Sequence, residues 1–492
     1  MPGLEILLLV LYGLCLLLIF GFSLTQLHLT LLARRYYARP AAPAPPMPAL
    51  TAWPRVAVQL PLYNERYVVE RVIDAVARLD YPADRLHIQV LDDSDDDTVA
   101  LAAARVAHHR AAGLQIDHLR REHRAGYKAG ALRHALPETD AEFIAIFDAD
   151  FVPAPDFLRR TVPYFRAPEV GVVQTRWGHL NAEESLLTRL QAFGLDAHFH
   201  VEQVGRTAAG HFINFNGTGG LWRRVCIEDA GGWHTDTLTE DLDLSYRAQL
   251  RGWRFVYLPD VVAPAELPAA MDALKSQQYR WTKGAAQTAR KHLGRVLRSG
   301  QRPATKLHAA FHLLNSTVFV AILLMALLSV PLVFVRAYRP ELKLIFQLAT
   351  VFLLGFLPLT AYYFTAWRRA APDASGWRFG PRFLLFLAVS MGLSLHNARA
   401  VLSGLAGRRS AFVRTPKLGQ QPAAGGRYRS GGFGWLGVLE GLLTLYFAFG
   451  LGAGLWLGDL GLLPFHLLLT AGFGLVFYYS VRHRAWNLDL RR

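Results

Sequence analysis

Apolar residues are unevenly shared along the chain. Residues 6–33 form one long apolar run, and further runs follow at 307–335, 342–367, 383–405, 435–457 and 460–481. An α-helix needs roughly 20 apolar residues to cross a bilayer, which these runs approach or exceed. Between Arg55 and Arg302 the pattern is different. Short β-rich runs, "VAVQLPLY", "LHIQVLDD", "EFIAIFDAD" and "VGVVQTRW", alternate with amphipathic stretches at 66–79, 98–112 and 127–135. Strands alternating with helical patterns predict a mostly parallel sheet with helices on both faces. The middle segment is therefore expected to be a soluble α/β domain with its own core.

The first run is not expected to be a cleaved signal. No basic residue precedes it, Arg34 and Arg35 follow it, and it is far longer than a secretory h-region. It reads as a retained anchor helix. The formal net charge of +15 would by itself suggest nucleic acid. Arginines cluster just outside the apolar runs, however, at Arg34, Arg35, Arg368, Arg369, Arg408, Arg409, Arg482 and Arg484. That is the positive-inside pattern, so topology explains much of the charge and no nucleic-acid partner is expected. Cys15 and Cys226 are far apart and make neither a disulfide framework nor a zinc site.

In a parallel sheet, ligands bind beyond the carboxyl ends of the strands. Two strands end there in acids, Asp92-Asp93 and Asp148-Ala149-Asp150. The D-x-D pair suits Mg2+ or Mn2+, held by one or two carboxylates while substrate phosphates complete the shell. A solvated turn is the rival reading, since Asp is common in turns. Asp95 to Asp97 fit the acidic start of a helix. Lys128, between glycines ahead of a helical run, suits an anion such as a diphosphate, or is a surface lysine. In "TLTEDLDLSYRAQLRGW", Thr239 is a candidate N-cap and Glu240 and Asp241 fall in the first turn. Dipole complementarity accounts for both acids; a general base at Asp241 is the competing idea. His198 and His200 have a spacing that can bind metal, but without an assigned partner a helix at the membrane surface is favoured.

Taken in order, "LPLYNE", "LDDS", "GYKAGAL", "DAD", "FNGTGG", "TED" and "QQYRW" resemble the processive, membrane-embedded family-2 glycosyltransferases, the group of cellulose, chitin, hyaluronan and mannan synthases. "VQTRWGHLN", "FNGTGGLWR" and "RGWRFVYLPD" resemble most closely the plant cellulose-synthase-like mannan synthases and their bacterial relatives. The resemblance implies an α/β glycosyltransferase-A (Rossmann-like) domain combined with an α-helical transmembrane region. It also implies a nucleotide-diphosphate-sugar donor, GDP-mannose and/or UDP-glucose, a divalent ion and inversion at the sugar carbon. Asp92, Asp93 and Lys128 would then serve the donor, and Asp148 and Asp150 the donor and the metal. Asp241 would be the base, with Glu240 beside the acceptor. Gln277, Gln278 and Arg280 would bind the diphosphate, and Trp281 offers a flat apolar face to a sugar ring. "FVRTPK" is similar to the gating loop of bacterial cellulose synthase at Phe412, Thr415 and Lys417, with Arg414 where a valine is usual. The sequon Asn216-Gly217-Thr218 reads as a glycine-rich acceptor loop rather than a glycosylated site.

The expected organisation follows. Residues 1–35 anchor the chain, 50–265 form the cytoplasmic catalytic domain, and 266–302 hold an interfacial helix with QQYRW. Residues 307–367 cross twice, 383–405 lie along the interface as one helix, and 408–434 form a cytoplasmic gating-type loop. Residues 435–481 cross twice more and 482–492 return to the cytoplasm, with no fused regulatory domain expected after Arg492. The interfacial assignment of 383–405 rests on His396, Asn397 and Arg399, since ionisable groups deep in lipid cost at least ~2.5 kcal/mol. The enzyme would sit in the cell (inner or plasma) membrane and pass a growing polysaccharide outward. A non-processive enzyme glycosylating a lipid is the alternative, and a transporter with a nucleotide-binding domain is the rival from another class.

Overall fold

The structure, a computed structural model, describes residues 2–39, 53–408, 410–415 and 434–489. Among these, seven strands make one sheet: β1 (Val56–Leu62), β2 (Leu86–Asp92), β3 (Ile116–Arg120), β4 (Phe143–Ile146), β5 (Val170–His179), β6 (Gly220–Arg223) and β7 (Arg254–Ala265). Their order is β3-β2-β1-β4-β6-β5-β7. Neighbours are parallel except at β6, which runs antiparallel between β4 and β5. The alternation of side chains along a strand divides the core between two faces. Val56, Val58 and Leu60 meet Val69, Val72, Ile73 and Val76 of the helix Val69–Ala77 on one side. On the other, Ala57, Ile144 and Ile146 meet Ala129, Leu132 and Ala135 of the helix Tyr127–Ala135.

β1, β2, β4 and β5 stand where the apolar runs predict them. The other three strands were not anticipated, for local reasons. β3 is short, polar and at an edge; β6 has four residues and opens on Gly220. β7 contains Pro259 and Pro264, which argue against a strand, but it lies on the opposite edge, where proline is tolerated. Its pairing with β5 skips register between Thr175 and Arg176, and Arg176 Nε donates to the Pro259 carbonyl at 2.9 Å.

Five of the described helices are long and apolar enough to cross a membrane: Gly3–Ala38, Pro303–Tyr338, Pro340–Ala370, Trp435–Trp456 and Leu463–Arg482. The segment 383–405, expected as one interfacial helix, is instead two. Gly376–Gly392 and Ser394–Leu405 meet at a bend of 51°. Close packing accounts for the first arm: a Cβ on Gly392 would lie 2.3 Å from the Gly472 carbonyl oxygen of the last membrane helix. The second arm packs on the helix Met271–Arg298 that carries QQYRW, where His396 Nε2 lies 2.9 Å from the Lys275 carbonyl oxygen. That 28-residue helix is the element joining the two halves of the molecule. Its Lys275 Nζ reaches the buried Glu440 at 2.6 Å and Ser480 at 2.9 Å, on two membrane helices.

Candidate active site

A crevice of about 190 Å³ opens at the carboxyl ends of β1 and β4, and Asp93, Lys128, Asp148, Asp150, Glu240, Asp241, Gln277, Arg280 and Trp281 all line it. Asp92 does not. Adjacent residues at a strand end point to opposite sides, so only one of the two acids can face the crevice. Asp92 is buried, 2.9 Å from His118 Nε2 and accepting from the Ser94 amide, so the expected donor contact is not made by its side chain. Burial alone would raise its pKa, but the His118 and Ser94 hydrogen bonds outweigh that and hold it low. Asp93 faces the crevice and is gripped by both nitrogens of a guanidinium fork from Arg121, at 2.9 Å for Nε.

At the end of β4, Asp148 accepts from Lys128 Nζ at 2.5 Å, and its own amide donates to Thr218 Oγ1 at 2.9 Å. Lys128 also donates to the Gly217 carbonyl at 3.0 Å and stands 4.0 Å from Glu240. Burial disfavours the Lys128 charge, yet Asp148, Glu240 and Asp241 more than compensate, and the ammonium stays protonated. Asp150 is buried two residues further on. A pair of carboxylates with one cation already beside it is an oxygen donor set of the kind Mg2+ and Mn2+ take. The residues present therefore fit a divalent ion.

Glu240 and Asp241 begin the helix Glu240–Leu250 as expected, with Thr239 at the N-cap position; its hydroxyl makes no cap hydrogen bond and lies 3.3 Å from Thr288 Oγ1 instead. Burial, then repulsion from Glu240, pushes the Asp241 carboxyl up to about 7. Glu240 is raised too, by burial first, with Lys128 opposing. Room for the loop 216–218 beside Asp241 depends on glycine. Gly217 has φ +82°, and a Cβ there would meet Asp241 Oδ2 at 3.1 Å. Asp243, two residues further along this helix and outside the recognised motifs, is fully buried. It binds Arg247 at 2.9 Å, Lys291 at 2.8 Å and His292 at 2.7 Å, and so ties the Asp241 helix to the QQYRW helix.

The QQYRW residues divide by helical phase. Gln277, Arg280 and Trp281 face the crevice; Gln278 does not line it and turns to a second cavity of about 530 Å³ that reaches into the membrane helices. Trp281 and Asp241 line both spaces, with the Trp177 ring 6.3 Å from Trp281 and inclined to it at 51°. Arg280 donates from Nη2 to Thr415 Oγ1 at 2.9 Å, also donates to the Val413 carbonyl, and lies 4.7 Å over the Phe412 ring. Phe412 in turn stacks on Tyr127. The segment 410–415 is thus laid across the mouth of the crevice, and Arg414 is pinned by Glu65 at 3.0 Å. Lys417 lies outside the described residues. His198 and His200 do not converge. His198 has an acid partner after all, Glu202 at 2.9 Å, and accepts from Asn216; His200 turns to Tyr37. Tyr63, under Arg124 at 3.3 Å, was also missed, because no motif flags an isolated stacking pair.

Residues 54–284 match the family model described as glycosyltransferase like family 2. The chain is 38% identical over 397 residues to glucomannan 4-beta-mannosyltransferase 1 of Oryza sativa subsp. japonica, covering 78% of this chain and 73% of the relative. It is also 38% identical over 382 residues to glucomannan 4-beta-mannosyltransferase 2 of Arabidopsis thaliana, covering 76% and 69%. A solved mannosyltransferase from Pyrobaculum calidifontis, in complex with GDP-Man and Mn2+, aligns with TM-score 0.53 at 24% identity. That match spans 75% of this chain and 100% of the solved one, a likeness of fold.

Proposed function

The chain belongs to the family-2 glycosyltransferases, with the glucomannan 4-beta-mannosyltransferases as relatives, and from that premise we propose that it polymerises a β-linked mannan or glucomannan and passes it across the membrane. The donor would be GDP-mannose, with UDP-glucose as the second substrate of a mixed polymer. One observation carries this reading: Asp241 and Trp281 line the donor crevice and the membrane cavity at once. A newly added sugar leaving the base would therefore enter a space walled by Phe22 and Gln26 of the first helix and by Phe319 and Phe386.

The chemistry follows from the residues. Asp241 takes the proton of an acceptor hydroxyl as its oxygen attacks the anomeric carbon, and the bond to the diphosphate breaks on the opposite face. The sugar carbon inverts and no covalent intermediate forms. A carboxyl poised near neutral pH is suited to general-base work. Lys128 and Arg280 offset charge growing on the departing diphosphate. Asp148 and Asp150 would hold a divalent ion, which supplies further neutralisation of that leaving group. Trp281 and Trp177 give the acceptor apolar faces to rest on. Phe412 and Thr415, bonded to Arg280, cover the mouth and would gate it; Lys417 belongs to the same proposal. Arg34 and Arg35 support a cytoplasmic catalytic domain, in the cell membrane.

The test is direct. Purified protein is given each nucleotide sugar with Mg2+ or Mn2+, and the product is sized and its linkages determined. Long β-1,4-mannosyl chains are expected from GDP-mannose. A product of one or two sugars on a lipid would replace this reading with that of a lipid glycosyltransferase.

A further inference from the structure

Three histidines outside the catalytic machinery converge where the first membrane helix meets the soluble domain. His28 lies on that helix, His211 in the loop leading to Asn216, and His308 on the helix Pro303–Leu314. One ring nitrogen from each falls within 4.8 Å of the other two. We propose that His28, His211 and His308 form a binding site for a divalent transition-metal ion of the Zn2+ class, clamping the anchor helix to the catalytic domain.

The ring spacings are close to those of ligands sharing an ion. With metal–nitrogen bonds of about 2.0–2.1 Å, adjacent imidazoles on one ion have centroids roughly 4.5–5 Å apart. The His28 and His308 rings are 4.9 Å apart at 29°, and His211 and His308 are 4.3 Å apart at 21°. His28 Nδ1 lies 2.8 Å from His308 Nε2, so a bound ion has only to replace one hydrogen bond and part those nitrogens slightly. Thr305 Oγ1 stands 3.1 Å from His211 Nδ1. That is the outer partner a ligating histidine usually has, and it leaves Nε2 for the ion. His211 and His308 are buried while His28 is exposed, which leaves water a fourth position. The donor set decides the class of ion. Imidazoles without a carboxylate suit Zn2+, Cu2+ or Ni2+ and offer little to Mg2+ or Mn2+. Arg206 and Arg302 are the charged groups that act on this cluster, and they limit its affinity without supplying a ligand. The clamp would act on function through position: within the two turns before His28, the same helix lends Phe22, Ser23 and Gln26 to the wall of the membrane cavity.

The test uses full-length protein purified without a polyhistidine tag, stripped with chelator and then held in excess Mg2+ to occupy the carboxylate site. Co2+ is titrated as a visible probe. One equivalent per chain should give d–d absorption that Zn2+ abolishes, and Zn2+ should raise the unfolding temperature. His28→Asn, at the exposed ligand, should fold as the metal-free wild type does and lose both responses. His211→Asn, read alongside it, should lose the absorption. Absence of a stoichiometric Co2+ signal in the wild type, or the same signal in both variants, would overturn the site.

Discussion

Replacing Asp241 with Asn removes one proton acceptor and almost no volume, so it isolates the base from the shape of the crevice. Loss of a positioned general base costs ~10²–10⁴-fold in rate, or about 3–5 kcal/mol of transition-state stabilisation. On the proposed reading Asp93, Lys128 and Arg280 serve the nucleotide and are untouched by the change, so affinity for GDP with Mn2+, measured by calorimetry, should change little. The pH profile gives a sharper readout. Burial and Glu240 push the Asp241 carboxyl up to about 7. Below that value its ionised fraction falls tenfold per pH unit, so kcat/KM of the wild type should fall with it and level off above. The variant's residual rate should lack that acid limb. Stability should move the opposite way. A carboxyl whose folded pKa is raised holds a proton that the unfolded chain has lost, so the wild type loses stability as pH rises from about 4 to about 7. The variant should therefore gain in unfolding temperature relative to wild type across that window and keep the gain above it. Turnover within a few-fold of wild type, or an acid limb that survives the substitution, would refute Asp241 as the base.

Trp281→Ala should shorten the polymer and weaken acceptor binding by ~1 kcal/mol or more, about fivefold; unchanged product length by gel filtration would dismiss the stacking role. Lys128→Met removes charged hydrogen bonds worth ~1.5–3 kcal/mol each, and GDP binding should fall at least ~10-fold by calorimetry. Glu440→Ala leaves Lys275 buried without its carboxylate, a change that typically costs ~3–5 kcal/mol; Lys275→Met combined with Glu440→Leu should recover most of the lost thermal stability in detergent. Cysteines introduced by Ser410→Cys and Gly425→Cys should resist an impermeant thiol reagent outside intact cells. Labelling of both from outside would reverse the proposed topology; Gly425 itself lies outside the described residues.

What could be read from sequence divides along a physical line. β1, β2, β4 and β5 are buried or nearly so and announce themselves as apolar runs. β3 and β7 lie at sheet edges, where one side is free and polar residues or Pro259 do no harm, and their signal fades accordingly. Motif order brings most of the named residues to one space. Which of two adjacent residues faces it was beyond motif reading, because that depends on strand and helix phase. Asp92 and Gln278 are turned away while Asp93 and Gln277 are not. Asp243 was invisible for a related reason: its partners Lys291 and His292 lie on another helix, and only the folded chain makes them neighbours. The bend within 383–405 was hidden as well, since a Gly392–Gly472 backbone contact leaves no pattern in hydropathy.

The helix Met271–Arg298 ties the crevice to the membrane helices. At one end Lys275 is fixed to two membrane helices through Glu440 and Ser480. Further along, Arg280 holds the segment across the crevice mouth through Thr415, and Lys283 holds it again through Ser410 at 2.8 Å. Further still, Lys291 and His292 grip Asp243 on the helix that begins with Glu240 and Asp241. These ties are charged or buried, and removing the carboxylate partner of a buried cation typically costs ~3–5 kcal/mol. Through these ties, a shift of the membrane helices around the cavity would be passed to Trp281 and to the helix that bears Asp241. On the polymerase reading, that coupling keeps the terminal sugar in register with Asp241 each time the chain advances.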